Sequence, residues 1–337
     1  MTSAYEILAQ LKRTASGPMT EARGAEPAFY WNEEVASAEE NAIFRHDWVC
    51  PGLASEIPDV GDYLTFSIAG EPVFSIRDSS GEIKTYANIC RHRMMQLLQG
   101  RGRTSRVTCP YHAWSYNLQG QLVGAGHMNH SAGFDKTKIC LPQIRTEIWN
   151  GWIYITLNPD AQSMRKALAP LNDVVARYGM EHYVAVLNEE HVWQTNWKLL
   201  TENFMEGYHL PVAHKANVGA WFAPNKTVFP DQSYDSFTYQ TFAKTHAARY
   251  GQAHPDNTRL TGEWRNTSIL PTVFPTHMYV LAPDHLWYLS LRPRGVGAVD
   301  VRFGVAIAPE VDAMLTDTAE RAAWIRDLVA FFEHVNG

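Results

Sequence analysis

Two periods of hydrophobic and polar positions divide the chain. Near the start the spacing is helical. Ile7, Leu8 and Leu11 share one side of residues 4–14, and Ala42, Ile43 and Phe44 point inward from residues 33–48. Residues 16–27 between them are polar and rich in small side chains, and read as a loose arm. From about Gly52 the period shortens to two. Residues 63–68 alternate, and Asp78-Ser-Ser-Gly81 is a turn between the runs 73–76 and 83–86. Asn117-Leu-Gln-Gly120 is a second hairpin turn. The aromatic and β-branched run 149–157 closes a small all-β segment, and Asn158-Pro159-Asp160 reads as its boundary. Beyond it, residues 164–178 are helical and 183–192 strand-like, and 192–202 approach another helix. Residues 217–275 show no clear period and read as long loops roofing a pocket. The runs 278–281, 286–291 and 299–308 read as strands of one sheet. Asp317, with Glu320 three positions on, caps a last helix over 318–335 whose apolar stripe is Trp324, Leu328, Phe331 and Val335. There is no internal repeat. The pattern predicts an α+β protein with domains over residues 1–48, 49–158 and 159–337.

Composition narrows the function classes. A chain of 337 residues with 45% hydrophobic and 12% aromatic content has material for sizeable cores. A net charge of −6 argues against nucleic acid as a partner. No run of apolar residues is long enough to span a membrane, and the start lacks a basic-then-apolar signal pattern. Four cysteines do not make a disulfide framework. Cys50 and Cys140 are expected to be buried free thiols in a reducing cytoplasm.

The other two cysteines carry a pattern. Cys90-Arg-His92 and Cys109-Pro-Tyr-His112 are separated by 16 residues, and each mixes a thiol with an imidazole. A structural zinc site is one reading, but zinc fingers group cysteine with cysteine and histidine with histidine. The alternating order fits a Rieske [2Fe–2S] centre, in which two histidines replace two cysteines on one iron. Further on, Asn203-Phe-Met-Glu206-Gly-Tyr208-His209-Leu-Pro211-Val-Ala-His214 offers two histidines and a carboxylate within nine residues. On a helix Glu206 and His209 share a face. Pro211 cannot continue that helix, so the chain must turn after Leu210 and bring His214 back beside His209. Two imidazoles and a carboxylate with open positions suit non-haem Fe(II). A helix end with two unrelated histidines is the alternative.

Together these patterns resemble the large subunit of Rieske non-haem iron oxygenases, the ring-hydroxylating oxygenase family, over residues 28–337. The resemblance implies a small all-β Rieske domain and a helix-grip catalytic domain with an antiparallel sheet, residues 1–48 packing on the latter. It implies a [2Fe–2S] cluster on Cys90, His92, Cys109 and His112, and a mononuclear Fe(II) on His209 and His214. Glu206 matches the acid that links a neighbouring subunit's Rieske histidine to the iron, which implies a homotrimer or a multiple of it. Most members have Asp there. Glu is found in the branch resembling carnitine and choline oxygenases, which act on quaternary ammonium compounds. Tyr208 and Asn203 are expected to orient the site without ligating metal. The family's third iron ligand, usually an Asp, comes from the last long helix. Asp327 and Glu333 are out of register for that role, so this carboxylate is expected just beyond Gly337, with the chain truncated there.

The implied activity is that of a terminal oxygenase. It would use O2 and electrons from NAD(P)H, delivered by a separate ferredoxin or flavoprotein reductase, because no nucleotide-binding Gly-rich motif is visible. It would hydroxylate or oxidatively demethylate a small organic molecule, a quaternary ammonium compound before an aromatic ring. The competing class is a Rieske electron carrier with an inactive second domain, which needs only about a hundred residues. Lys84, Arg91, Arg93, Arg101, Arg103 and Arg106 would make a basic collar for an acidic reductase, or an ordinary solvated face. Tyr111 and Trp114 flank the second Cys/His loop. Trp221, Phe222, Phe229, Phe237, Tyr239, Phe242, Trp264 and Phe274 would cage a trimethylammonium head or line an aromatic slot, though most are expected to fill core. His182, His191, His246, His254, His277 and His285 fit no ligand pattern and read as structural or surface residues.

Overall fold

The structure is a computed structural model that describes residues 3–128, 130–215, 218–220, 226–244 and 249–336. The chain forms two compact units. One is Arg45–Ala167; the other joins Met1–Phe44 to Leu168–Gly337.

The described residues of the first unit form ten strands: β1 (Val49–Leu53), β2 (Asp62–Ile68), β3 (Glu71–Arg77), β4 (Ile83–Ala87), β5 (Arg101–Arg103), β6 (Val107–Thr108), β7 (Ser115–Tyr116), β8 (Leu122–Gly124), β9 (Gln143–Trp149) and β10 (Trp152–Thr156). Seven make one sheet in the order β1-β10-β9-β4-β3-β2-β5, and β6-β7-β8 make a second. The two expected turns form as their residues dictate. Asp78 Oδ1 accepts the Ser80 and Glu82 N–H groups, and Asn117 Oδ1 accepts those of Gln119 and Gln121. The run 149–157 is a hairpin end and a strand rather than one strand. Asn150 and Gly151 take φ values of 46° and 84°, the two-residue left-handed turn that Asn-Gly favours, and β9 pairs with β10 across it. Cys50 is buried as expected, but Cys140 is exposed.

The second unit is built on β11 (Val184–Trp193), β12 (Phe237–Ala243), β13 (Thr267–Val273), β14 (His277–Leu281), β15 (His285–Pro293) and β16 (Val299–Ile307). They pair antiparallel in the order β11-β16-β15-β14-β13-β12. The expectation of loops over 217–275 fails at β12 and β13. Their side chains are buried with little regard to parity, and a strand covered on both faces loses the alternation that marks it in sequence. Trp221, Phe222 and His246 lie outside the described residues, as does the Glu333 side chain. The last helix, Thr318–Asn336, starts where expected, with Asp317 Oδ1 accepting the Ala319 and Glu320 N–H groups.

One helix, Trp197–Met205, carries the chain into the motif. Its N-cap Asn196 accepts the Lys198 N–H, and the Asn196 amide donates to the Tyr30 and Val296 carbonyls. The Lys198 ammonium is buried, donating to Glu39 at 2.7 Å and to the Phe29 carbonyl at 2.8 Å. Tyr30 closes the contact with a 2.7 Å hydrogen bond to Glu202. The N-terminal helices Ala28–Trp31 and Glu33–Glu39 are thus tied to the site helix by buried charge and amide bonds. Lys198→Met leaves Glu39 buried with only a 3.3 Å contact from the Trp197 indole. It is expected to cost about 3–5 kcal/mol, as for other buried pairs that lose one partner. The double variant with Glu39→Leu should recover most of that loss. Denaturant unfolding of the three proteins checks this, and an unchanged midpoint in the single variant would contradict it.

Candidate active site

In the first unit, Cys90 and Cys109 head two loops of one design. Cys90 N–H donates to the Met95 carbonyl and its own carbonyl accepts from Met94; Cys109 makes the same pair of bonds with Trp114 and Ala113. The residue four past each cysteine, Met94 or Ala113, has φ of 57°. This left-handed step closes each loop. Buried Asn88 clamps the first loop, exchanging side-chain hydrogen bonds with the Leu98 backbone at 2.8 and 2.9 Å.

The four expected donors respond differently to this frame. Both thiols sit in the core with Phe74, Val107, Trp114 and Tyr116. The Tyr116 hydroxyl lies 3.4 Å from Cys90 Sγ and accepts the Arg91 N–H. Burial and the nearby cysteines raise that hydroxyl's pKa far above the usual tyrosine range, so it remains a donor. The His92 and His112 rings are 4.7 Å apart, and His92 is stacked on Trp114 at 4.7 Å. Burial, His112 and Arg93 lower the His92 pKa, which favours the neutral, ligating imidazole. Its Nδ1 is buried without a hydrogen-bond partner. An orphaned nitrogen beside a second imidazole, with two buried thiols on the same loops, fits the donor chemistry of a Rieske cluster. No three His, Cys, Asp or Glu side chains converge as a single metal ion would need among the described residues.

The expected basic collar is largely neutralised. Arg101 pairs with Glu56, Arg103 with Asp59 and Asp62, and Lys84 with Glu82. Arg91, Arg93 and Arg106 remain exposed. Tyr111 is exposed against the His112 ring, while Trp114 is buried.

In the second unit the motif folds differently from its sequence reading. The helix stops at Met205, and Glu206 is extended, with φ −123° and ψ 148°. Glu206 and His209 therefore share no helical face. Gly207 is a poor helix former, and the Glu206 carboxylate takes over the freed N–H groups of Tyr208 and His209. Pro211 does not end a helix but sits in the first turn of the short helix Leu210–Ala213, where its missing N–H costs nothing. The expected juxtaposition still results. The His209 and His214 ring centroids are 5.2 Å apart, and His209 Nδ1 hydrogen-bonds Glu206 Oε1. Holding Nδ1 in this way leaves Nε2 free to ligate. Burial, then the neighbouring His209, lowers the His214 pKa, again favouring the neutral ring. Asn203 faces the cavity, whereas Tyr208 is 90% exposed and offers only its N–H.

Glu206, His209 and His214 line a cavity of about 430 Å³. Its walls are one face of the sheet, from alternating positions: Gln240 and Phe242 of β12, Ser268 and Leu270 of β13, Val280 of β14, and His285, Trp287 and Leu289 of β15. Opposite pairs such as Gln240–Leu270, Phe242–Ser268 and Val280–Trp287 confirm the shared face. Phe204 from the site helix and Phe331 and Phe332 from the last helix complete the aromatic lining. Of the aromatics anticipated from sequence, Phe242 alone among the described ones is in it. Phe237 is core, Phe229 and Phe274 are exposed, and Trp264 stacks under Arg177.

Two further groups were not expected. His285 reads in sequence as structural, yet it lines the cavity and is held by Asp284 at 2.7 Å. Lys244 lines it too, and no local motif marks it. Among the described residues, the remaining histidines of that set lie outside the cavity lining. His182 and His191 are exposed, and His277 is buried in the sheet, its pKa lowered by burial to about 3.

Residues 47–141 match the family described as the Rieske [2Fe-2S] domain, and residues 180–336 match the ring hydroxylating alpha subunit (catalytic domain). The chain is 33% identical over 218 residues to the glycine betaine monooxygenase oxygenase subunit of Chromohalobacter salexigens, covering 63% of this chain and 49% of that one. It is 33% identical over 189 residues to the carnitine monooxygenase oxygenase subunit of Escherichia coli, covering 55% and 50%. The chain therefore spans about half the length of the curated relatives it matches. The crystal structure of naphthalene 1,2-dioxygenase from Rhodococcus sp. bound to indole superposes with a TM-score of 0.76 at 26% identity, covering 90% of this chain and 78% of that one. With a Rieske domain followed by a ring-hydroxylating catalytic domain, the chain belongs to the Rieske non-haem iron oxygenase family.

Proposed function

We propose that this chain is the oxygenase component of a multicomponent Rieske oxygenase acting on a small quaternary ammonium compound. The observation that carries the reading is the pair of imidazoles, His209 and His214, at an aromatic cavity, with Glu206 fixing one of them. In this reading Cys90, His92, Cys109 and His112 hold the [2Fe–2S] cluster, and His209 and His214 hold iron. The bound groups would supply single electrons and a site for O2. The residues do the rest. Glu206 keeps His209 in one tautomer, and its carboxylate stays 44% exposed, within reach of a further donor. Tyr116 donates toward Cys90 Sγ, which stabilises the more negative, reduced cluster. The cavity wall of Phe204, Phe242, Trp287, Phe331 and Phe332 excludes water and offers ring faces to a trimethylammonium group, each worth about 0.5–2 kcal/mol.

The oxygenase subunits of glycine betaine and carnitine monooxygenases among the relatives support this substrate class. The naphthalene dioxygenase likeness supports a flat aromatic substrate as the second reading. A separate reductase docks, in this proposal, at the exposed rim of Arg91, Arg93 and Arg106, and the working assembly is a homotrimer in which Glu206 meets the next subunit's Rieske histidine.

His209→Ala or His214→Ala should lower iron from three to two per chain and abolish product, while the reduced Rieske spectrum persists. Metal analysis with electron paramagnetic resonance reads this, and full turnover in either variant would refute the assignment. Glu206→Gln preserves shape but weakens the acceptor. Both sites should load and the cluster should be reduced normally, with coupled turnover down by about 10–100-fold. Tyr116→Phe removes the hydroxyl donor at Cys90 and should move the cluster midpoint to lower potential. Protein-film voltammetry giving an unchanged or higher midpoint would argue against the bond.

A further inference from the structure

Lys244 is half-buried and lines the cavity, with its Nζ packed against Gly251. It follows β12 directly, its N–H continuing the ladder to the Asn266 carbonyl. With Gln240 and Phe242 it occupies every second position of the strand, so all three face inward. Gln240 reaches the Phe204 carbonyl of the site helix at 3.2 Å. Lys244, four residues further, lies about 13 Å along the strand from that contact. The cavity is thus lined by the His209–His214 pair and, further along β12 from the site helix contact, by a cation.

The ammonium is built in but not neutralised. It lies against Gly251, where any Cβ would fall 1.5 Å from Nζ. It donates to Ser268 Oγ at 3.0 Å. No carboxylate lies within ion-pairing distance of it among the described residues, and an ammonium has three donors to place. The nearest acid, Asp284, is spent elsewhere. Its oxygens accept the Gly251 N–H at 2.9 and 2.8 Å and His285 Nδ1 at 2.7 Å. Burial alone would raise the Asp284 pKa, but His285, Lys244 and the Gly251 N–H outweigh it and hold it low, so Asp284 stays ionised. Two cavity-lining residues add polar atoms that are buried without hydrogen-bond partners: the Tyr250 hydroxyl and Gln240 Oε1. A cavity-lining cation with donors unused among the described residues, sharing its cavity with an unpartnered hydroxyl, is costly unless an anion completes it.

We infer that Lys244, Ser268 and Tyr250 form a carboxylate-binding pole, so that the substrate carries an anionic group at the end remote from its reacting carbon. The inference rests on the proposed oxygenase function and narrows its substrate class. A zwitterion with both a quaternary ammonium and a carboxylate fits, whereas a cationic alcohol or a neutral arene leaves the ammonium unmatched. Ser268 orients the lysine, and the Tyr250 hydroxyl supplies a neutral donor. Around this pole the facing titratable groups are Asp284, His285 and Tyr250, with the exposed Arg249–Asp327 pair beside the tyrosine. Burial lowers the Lys244 pKa to about 8, against the pull of Asp284. A bound carboxylate needs the protonated amine. Its affinity should therefore fall as pH rises above about 8, by up to tenfold per pH unit.

Calorimetric binding to the metal-loaded protein, anaerobic and without reductase, tests this. The probes are glycine betaine, choline, and the tert-butyl analogue of each, in which carbon replaces the ammonium nitrogen. At neutral pH both carboxylates should bind at least about tenfold tighter than both alcohols. The preference should vanish in Lys244→Met, survive in Lys244→Arg, and fade above pH 8 in the parent. The pH series on the parent decides the matter even if Lys244→Met fails to fold. Alcohols binding as tightly as carboxylates, or a pH-independent preference, would overturn the pole. Lysine-dependent carboxylate binding without oxygenation by any reconstituted reductase would sustain the pole and count against the oxygenase reading instead.

Discussion

The strands β13 to β16 of the catalytic unit's sheet are buried on both faces, and that constraint shapes everything attached to them. Tyr279, Leu286 and Tyr288 are fully covered. A polar group on such a sheet needs a partner inside the protein. Most have one. Asn188 donates to the Tyr288 hydroxyl at 2.7 Å and accepts from Arg302, and the Tyr183 hydroxyl donates to the Ala282 carbonyl. Two buried polar atoms without a hydrogen-bond partner, Gln240 Oε1 and the Tyr250 hydroxyl, belong to residues that line the cavity.

The two candidate metal centres are held by different means. In the first unit the donors come from paired loops, each closed by two backbone bonds and a left-handed residue, and sunk in a hydrophobic cluster. In the catalytic unit the donors come from a break between two helices. There a carboxylate does the work of the lost helical bonds, capping two N–H groups while it holds His209. The position of this break depends on the site helix, and that helix is fixed at its other end by the buried Lys198–Glu39 pair and the Tyr30–Glu202 bond. Residues far upstream thus set where the imidazoles lie.

What the sequence alone determined is short in range. The Cys-x-His and Cys-x2-His loops, the Asp78 and Asn117 turns and the Asp317 cap each need only a few neighbouring residues, so their spacing carries their geometry. The motif Glu206 to His214 was legible as a cluster of donors for the same reason, although the backbone reached it by a break after Met205 rather than by one helical face. Only the tertiary structure decided the rest. β12 and β13 hid because burial on both sides erased their alternation. Lys244, Ser268, Asp284 and His285 meet through antiparallel register between strands that are dozens of residues apart. A shift of one residue in that pairing would turn each of them to the opposite face, and no local pattern specifies it.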